Sequence, residues 1–483
     1  MSISNAMINA LSGLGAASRS ADVVASNVAN ALTQGYARRE LQLSARTLAG
    51  TGAGVRVDGV TRAINQAVLN DKRLADAELA AASTRSRFQL RMETAVGQPG
   101  DGNSLVGRIA ALEAAFTQAT SRPDSEARLQ DVVTSADRLA GTLHSLQSEV
   151  QSARMEADAA VARQVDLLND SLVRVDRLNA QIVAERASGR DPSALFDERQ
   201  SIVDRIAEIV PLRELARDRD QIALFTTGGA VLLEGVPVKV GFVPAGVITP
   251  DMTLASGALS GLTLNGTPIV STDAGVMGGG ALGAALALRD ELAPAYQAQI
   301  DALARNLIER LSSPAVDPTL AGQPGLLTDA GSAFDPLNEV GIAGRIAVNA
   351  AVDPTRGGAL WRVRDGIGAT APGAVGDATR LIALSNAMAA PVAPASGGFI
   401  GAGRSAAGLA ADVLSHAASA RQRDDARTSH ASALQEALTS QHLENGVDSD
   451  AELQRLLLVE EAFAANARVI QTMDDLLQQI IRL

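Results

Sequence analysis

The chain has 483 residues, of which 46% are hydrophobic and only 2% are aromatic, and its formal net charge at pH 7 is -12. This length predicts two to four domains, and the acidic balance argues against nucleic acid or an anionic membrane surface as a partner. The chain has no cysteine and four histidines, none of them paired at metal-ligand spacing, which excludes disulfides, thiol chemistry and histidine-rich metal sites.

The first predicted element is a helix with an apolar stripe. Alternating steps of four and three residues place such side chains on one seam of a helix, the seam that buries against another helix. The first basic residue is Arg19, so no positive segment precedes an apolar core, and a secretory signal peptide is not expected. The stripe consists of Ile3, Met7, Ala10, Leu14, Ala17, Ala21, Val24 and Val28.

A turn is expected after this helix, at Thr33-Gln34-Gly35-Tyr36, because glycine adopts turn conformations that other residues resist. Asn27 and Asn30 lie near the end of the helix and are interpreted as cap and turn residues. Tyr36 is expected to pack where the terminal region meets the next domain. The alternating residues Val55–Asp58 then predict a short strand.

Helical periodicity dominates the rest of the chain. The longest predicted helix, over about 125–188, ends at Gly189-Arg190-Asp191-Pro192, a strong terminator. Helices are expected over about 61–95, 125–188, 193–210, 282–311, 377–390 and from 406 to the end, with an interruption at Asn445-Gly446.

A β-rich segment is expected over about 211–273, where turn residues recur at short intervals and Asn265-Gly266 predicts a hairpin turn. Residues 314–375 are rich in Pro, Gly and Asp and predict irregular structure with a strand near Ile346–Val348. Gly50–Gly54 precedes its strand, the wrong order for a dinucleotide site, so it predicts a structural turn. The segment Trp361–Arg364 fits either a packing anchor or a contact with a partner.

The chain closes on a second apolar stripe with one polar lapse, at Asn466. Neither terminal helix can cover its own seam, so the pattern points to assembly. Terminal helices that meet within one chain of this plan should run antiparallel. The second stripe consists of Leu456, Val459, Phe463, Asn466, Ile470, Met473, Leu477 and Ile480.

The predicted fold is mainly α with an inserted β unit, an elongated multidomain rod whose terminal helices pair as an antiparallel coiled coil. Three domains are expected. They are a terminal coiled-coil domain (1–48 plus 440–483), a mainly helical rod domain (49–210 plus 276–439, irregular over 314–375) and a small β-rich domain (211–275).

Both ends of the chain resemble the bacterial flagellar axial proteins. At the front the resemblance rests on Leu11–Leu14, Ser26–Asn30 and Thr33–Tyr36, with Val28 and Gln34 where the family usually has Ile and Pro. At the back it rests on Gly446–Asp448 and Glu461–Thr472. The motif positions are Asn27, Asn30, Thr33, Gly35, Tyr36 and Asn466.

The interior resembles one branch of these proteins, the hook-associated protein 1 family, at Asp191–Gln200, Gly279–Gly283 and Gly376–Ala378. The resemblance implies a structural protein of the flagellum that joins hook to filament by self-assembly through its terminal helices. Its implied partners are further copies of the chain, the hook protein, a second junction protein (hook-associated protein 3) and an export chaperone, with no nucleic acid and no membrane. It implies type III export without a cleavable signal peptide and an extracellular location.

Two alternatives stay open beside this interpretation. The first is a hook or rod subunit, against which the long helical middle region argues. The second is a secreted adhesin or enzyme with an insert domain, although residues 211–375 lack an evident acid pair or aromatic platform. Since no grouped acid, base and nucleophile is recognisable, we expect no enzymatic activity and no cofactor or metal.

Overall fold

The computed structural model describes residues 3–33, 35–48, 51–399 and 401–482. The side chains of Ile3, Leu48 and Thr51 lie outside this description. So do Gln34 and Gly50, which belong to two of the segments singled out in the sequence.

The described chain is mainly helical with a few small sheets, as predicted. The longest helix, α4, runs over 62 residues within about one residue of its expected limits. The helices are α1 (Ile3–Ala29), α2 (Gln66–Val96), α3 (Leu105–Ser121), α4 (Glu126–Ala187), α5 (Ser193–Ile209), α6 (Gly280–Ala287), α7 (Ala293–Leu311), α8 (Trp361–Asp365), α9 (Thr379–Ala389), α10 (Ala406–Glu444) and α11 (Ser449–Arg482). A π-helical turn, Leu288–Leu292, connects α6 to α7.

The strands form four small antiparallel sheets, ordered β1-β2, β3-β4-β5-β6, β7-β8-β9 and β10-β11. Asn265 and Gly266 both have positive φ, 49° and 84°, and connect β8 to β9 as the predicted hairpin turn. The strands are β1 (Arg39–Leu48), β2 (Thr51–Arg62), β3 (Leu212–Ala216), β4 (Ile222–Thr226), β5 (Val231–Glu234), β6 (Val236–Pro237), β7 (Val240–Gly241), β8 (Thr263–Leu264), β9 (Thr267–Pro268), β10 (Leu327–Asp329) and β11 (Ile346–Val348).

The short strand expected at Val55–Asp58 is part of a longer hairpin. β1 pairs with β2 from Arg39 opposite Arg62 to Leu48 opposite Thr51, with two register shifts. These shifts break the alternation on which strand prediction depends, which explains why the sequence revealed only the central four residues. The hairpin follows α1 directly.

By packing, the chain forms two units, and neither is a continuous stretch. Unit 1 consists of Met1–Ala80, Asp166–Val240 and His430–Leu483. Unit 2 consists of Ala81–Val165 and Gly241–Ser429. The division into three domains stays a prediction.

The interior of unit 1 includes the apolar stripe of α4 and the inner face of α5. Asn179 in α4 donates a hydrogen bond from Nδ2 to the backbone oxygen of Ile222 in β4 at 3.0 Å, and its Oδ1 accepts one from Arg199 in α5 at 2.8 Å. These bonds attach the sheet and α5 to α4. The buried residues are Leu168, Leu172, Val175, Leu178 and Ile182 of α4 and Ile202, Val203 and Ile206 of α5.

The core of unit 2 is built mainly from aliphatic side chains of α3, α7, α9, α10 and the first part of α4. At its margin lies a buried ionic group. Arg154 donates to the backbone oxygens of Thr249 at 3.0 Å and Met252 at 2.6 Å, and Arg289 donates to Asp158 at 2.7 Å. The group therefore ties a surface loop to α4 and to the π-helical turn.

Candidate assembly interface

The first and last helices of the chain lie against each other in unit 1. Asn27, near the end of α1, contacts Glu452 near the start of α11, while Gly13 lies beside Asn466 further along α11. Residues late in one helix thus meet residues early in the other, so the two helices run antiparallel. Supercoiling of the pair stays a prediction.

The predicted seam is only partly covered by this pair. Ala10, Ala17 and Val24 are buried, whereas Met7, Val28, Phe463 and Ile480 are exposed. The remaining stripe residues whose side chains are described are half-buried: Leu14, Ala21, Leu456, Val459, Asn466, Ile470, Met473 and Leu477.

A second apolar row on α11 was not predicted from the sequence. Leu458, Ala462, Ala465 and Val469 follow steps of four, three and four, Leu476 lies one heptad beyond Val469, and all are exposed. Steps of four and three mark one face of a helix. Contiguous apolar surface of this kind is typical of interaction sites. The spacing of this row is visible in the sequence, but the neighbouring seam has larger apolar residues and a longer repeat, so the row was not identified.

The side chain of Asn27 joins α1 to two other elements. Its Nδ2 donates to the backbone oxygen of Arg39 at 2.9 Å and to Oε2 of Glu452 at 3.0 Å. Its Oδ1 accepts from the Arg39 amide and from the Tyr36 hydroxyl, both at 2.9 Å. All four hydrogen-bonding positions of the amide are therefore used. The interpretation of Asn27 as a helix cap was wrong, because its partners lie outside the helix end.

The neighbouring motif residues form the turn. Asn30 donates from Nδ2 to the Ser26 backbone oxygen at 2.9 Å, a bond that satisfies a carbonyl at the helix end as predicted. Thr33 donates to Oδ1 of Asn30 at 3.3 Å, and Gly35 has φ 82°, which favours glycine. The motif therefore redirects the chain from α1 into β1.

Asp197, from the interior motif, anchors the β1–β2 hairpin to α5. Its carboxylate pairs with Arg39 of β1 at 3.1 Å and with Arg62 of β2 at 2.8 Å. Arg62 also donates to Oε1 of Gln200 at 2.7 Å and stacks over the Phe196 ring. In the sequence this motif carries a family resemblance, but its role could not be predicted because its partners lie far away in the chain.

Burial alters the ionisation of the arginines around this anchor. The pKa of Arg199 is lowered to about 10, chiefly because the guanidinium is removed from water. Burial also lowers the pKa of Arg62, and the Asp197 charge opposes that change. At a pKa of about 10, Arg199 stays protonated at neutral pH and contributes a positive charge beside the anchor.

The hairpin also touches α1. Ser12 Oγ accepts a hydrogen bond from the Val55 amide at 3.1 Å, and Gly54 approaches so closely that a Cβ there would lie 2.0 Å from that oxygen. Gly54 has φ 94°. Within the Gly-rich segment, this glycine is therefore needed for helix–strand contact.

The described residues show neither a metal-binding cluster nor a membrane-spanning helix. Among described residues, no set of three or more His, Cys, Asp or Glu side chains could hold a metal ion. In the same residues, no helix is both long and apolar enough to span a membrane. Trp361 is half-buried, with the Arg362 guanidinium 5.0 Å from its ring centroid, an arrangement compatible with either role considered for it.

Two segments of the chain match known protein families. Residues 90–323 match the family described as the flagellar hook-associated protein FlgK helical domain. Residues 440–483 match the family described as the flagellar basal body rod FlgEFG protein C-terminal region.

Curated relatives carry the same description. The flagellar hook-associated protein 1 of Salmonella typhimurium is 23% identical over 240 residues, which cover 48% of this chain and 43% of that protein. That of Escherichia coli K12 is 22% identical over 240 residues, covering 48% and 44%, and that of Bacillus subtilis is 22% identical over 222 residues, covering 44% of each. The matched chain thus spans less than half the length of these relatives.

Among solved structures, the flagellar hook junction protein FlgK from Burkholderia pseudomallei is similar at a TM-score of 0.45 and 20% identity. The similarity covers 54% of this chain and 47% of that one.

Proposed function

We propose that this chain is a hook-associated protein, a structural subunit that joins the hook of a bacterial flagellum to its filament. The observation that carries this proposal is the match of residues 90–323 to the family described as the flagellar hook-associated protein FlgK helical domain. Curated relatives from three bacterial species bear the name hook-associated protein 1.

The terminal helices supply the proposed means of assembly. The α1–α11 pair leaves apolar side chains uncovered on both helices, among them Leu11 on α1 and Leu458 on α11, which are 63% and 67% exposed. When a further helix covers apolar area of this kind, its removal from water stabilises the resulting assembly. Neighbouring copies of the chain would carry the same exposed side chains, and we propose that the termini pack against each other through them.

The proposed assembly surface comprises the seam and the motif that supports it. The seam is Ile3, Met7, Leu14, Val24, Val28, Leu456, Val459, Phe463, Ile470, Met473, Leu477 and Ile480. Asn27, Asn30, Thr33, Gly35, Tyr36 and Asn466 hold or shape the terminal helices. The proposed partners are the hook protein, hook-associated protein 3 and an export chaperone, and the proposed location is the external flagellum.

The matched families are structural flagellar proteins, and we propose that this chain likewise has no catalytic activity. The charged groups brought together in unit 1, such as Asp197 with Arg39 and Arg62, are engaged in ion pairs that connect elements. Catalytic acids and bases need a free reacting face.

Immunogold microscopy of flagella from cells that carry an epitope-tagged full chain tests the proposal. Label confined to the boundary between hook and filament is the expected result. Deletion of the gene should leave hooks without filaments and release unattached filament protein. Label along the whole hook or within the rod would favour the alternative of a hook or rod subunit and overturn the junction role.

A further inference from the structure

The apolar stripes of α1 and α11 repeat every seven residues, so on their own they match in more than one alignment. When one helix slides by seven residues, apolar side chains return opposite apolar side chains. Such a slip displaces the helices by about 10.5 Å at the α-helical rise per residue. A feature other than the stripe has to select the observed alignment.

Two contacts involving polar side chains cross the seam in that alignment, one a hydrogen bond and the other a close packing contact. Asn27 donates from Nδ2 to Oε2 of Glu452 at 3.0 Å. Gly13 lies beside Asn466, whose Oδ1 would be 2.6 Å from a Cβ at position 13. Gly13 and Asn27 are two heptads apart in α1, as are Glu452 and Asn466 in α11. One alignment therefore makes both contacts at once.

We propose that these two contacts, the register pairs Asn27–Glu452 and Gly13–Asn466, fix the register of the terminal helix pair. A polar residue in an otherwise apolar seam is a known device for specifying alignment between helices. The inference concerns helices of one chain and does not depend on the role proposed at the flagellar junction.

Slipped alignments lose both register pairs. A slip of seven residues in one direction brings Asn27 opposite Val459, which can neither accept nor donate a hydrogen bond. A slip in the other direction brings Asn466 opposite Ala6, whose Cβ occupies the space that Gly13 leaves open. The two directions are thus opposed by different means, lost hydrogen bonding and steric overlap.

Burial gives the first pair its selectivity. The Glu452 side chain is 1% exposed, and Asn27 is fully buried. A buried polar group that loses its partner incurs its full desolvation cost, so each lost contact should disfavour a slipped alignment by about tenfold. Glu452 also lies 3.9 Å from Arg38, just before β1, and 3.4 Å from Arg455 on its own helix. The Arg455 pair lies within α11 and does not distinguish between alignments, whereas the Arg38 pair adds to the cost of a slip.

Disulfide trapping in the full chain measures the register directly. The natural chain has no cysteine, so two introduced cysteines form the sole possible bridge within a molecule. Extended along both helices, the register pairs place the seam positions Ala10 and Ile470 near each other, so Ala10→Cys with Ile470→Cys is expected to face in the observed alignment. Ala10→Cys with Phe463→Cys or with Leu477→Cys is expected to face only after a slip. A disulfide requires Cα atoms within about 7 Å of each other. Each of the three cysteine pairs can therefore form a bridge in only one of the three alignments.

With the register pairs intact, the Ala10–Ile470 bridge should form and the two slipped bridges should not. Adding Glu452→Leu and Asn466→Ala should raise the yield of the slipped bridges at least about tenfold relative to the parent. Glu452→Gln is the matched control. It keeps an acceptor oxygen for Asn27 and should retain the single Ala10–Ile470 bridge, whereas Glu452→Leu buries a side chain of similar size without that acceptor. Gly13→Ala, which inserts the opposing Cβ, should also lower the yield of the Ala10–Ile470 bridge.

Two results would overturn the inference. If the variant without register pairs forms only the Ala10–Ile470 bridge at the parental yield, the apolar stripe selects the register by itself. If it forms none of the three bridges while unit 2 stays folded by hydrogen exchange, the polar contacts hold the helices together and do not choose between alignments.

Discussion

Arg289 and Asp158 form an ion pair in the interior of unit 2, with Nη1 and Oδ1 2.7 Å apart and side chains 0% and 3% exposed. The Asp158 Oδ2 also accepts from the Ala245 amide, while Arg289 donates to the Ser260 backbone oxygen. The pair thus holds the loop between these residues against α4. Because both side chains are almost fully buried, each charge depends on its ion-pair partners for stabilisation.

Replacing Asp158 by alanine should destabilise unit 2 by about 1.5–3 kcal/mol, the usual cost of a lost hydrogen bond to a charged group. Arg289 stays paired with Asp290 through two hydrogen bonds of 2.8 Å, so its charge is not left without a partner. Urea unfolding measured through the helical signal gives the difference. The control is Glu156→Ala, which breaks a pair whose carboxylate is 68% exposed and should cost about 0–1 kcal/mol. Equal losses in both variants would contradict the prediction.

The anchor at Asp197 yields a second prediction. Asp197→Ala removes the shared partner of Arg39 and Arg62, so the β1–β2 hairpin should open more often from α5. Amide hydrogen exchange over 39–62 should accelerate by about tenfold or more, consistent with the loss of about 1.5–3 kcal/mol for a charged hydrogen bond. The adjacent Glu198→Ala, which breaks only an exposed pair with Arg174, serves as the control and should leave exchange of the hairpin unchanged.

Gly54 and Gly52 offer a matched comparison within β2. Gly54→Ala should destabilise unit 1 by about 1–3 kcal/mol, because its φ of 94° strains an L-residue and the new Cβ would overlap Ser12 Oγ. Gly52→Ala meets no atom within 4 Å and should be neutral or slightly stabilising. Chemical unfolding of the two variants side by side decides the matter, and a neutral Gly54→Ala would show that α1 and β2 do not touch there.

Leu477→Asp tests the assembly surface. Burying a carboxylate in an apolar seam costs several kcal/mol, so this variant should fail to form hook–filament junctions or to bind the export chaperone, while residues 90–429 stay folded. Motility and filament counts report on assembly, and hydrogen exchange on folding. Gln471→Asp places the same charge at an exposed position of α11 and should assemble normally. Normal filaments in the Leu477 variant would show that the seam is not an assembly surface.

His442 predicts a pH dependence of unit 1. Burial lowers its pKa below the ordinary 6.5, and the positive charges of Lys72 and Arg73 lower it further against the opposing effect of Asp204. The folded state therefore favours the neutral ring, and its stabilising contribution is present above pH 6.5 and is lost as pH falls through the lowered pKa. His442→Gln should reduce the decrease in stability on acidification, measured by urea unfolding from about pH 8 to 5. The exposed His430→Gln is the control; an unchanged slope in the His442 variant would contradict the prediction.

Long elements could be predicted from the sequence because their signal repeats many times. The stripe of α4 recurs over the whole helix, and Asn265-Gly266 specifies its turn through backbone conformation alone. By contrast, α3 was missed, although Ser104 caps it and accepts a hydrogen bond from the Gly107 amide at 3.1 Å. α3 has only 17 residues, so its buried row Leu105, Ile109, Leu112 and Phe116 repeats few times and gives a weak periodic signal.

The contacts of the candidate site lay beyond sequence reasoning for a different reason. Periodicity identifies the face of a helix that is buried, but it does not identify the partner. Asn466 was recognised as a polar lapse, yet that Gly13 accommodates it is evident only when both helices are placed together. The same holds for Asp197, whose partners Arg39 and Arg62 lie more than a hundred residues earlier in the chain.

The pairing of α1 with α11 also determines an order of events in time. Asn27 and Glu452 are 425 residues apart, so α1 leaves the ribosome long before α11 is available to contact it. Contacts between such distant segments close a long loop and form after local ones. Through most of synthesis, α1 therefore exists without the surface that later covers it, and the terminal pair is among the final parts of the molecule to take shape.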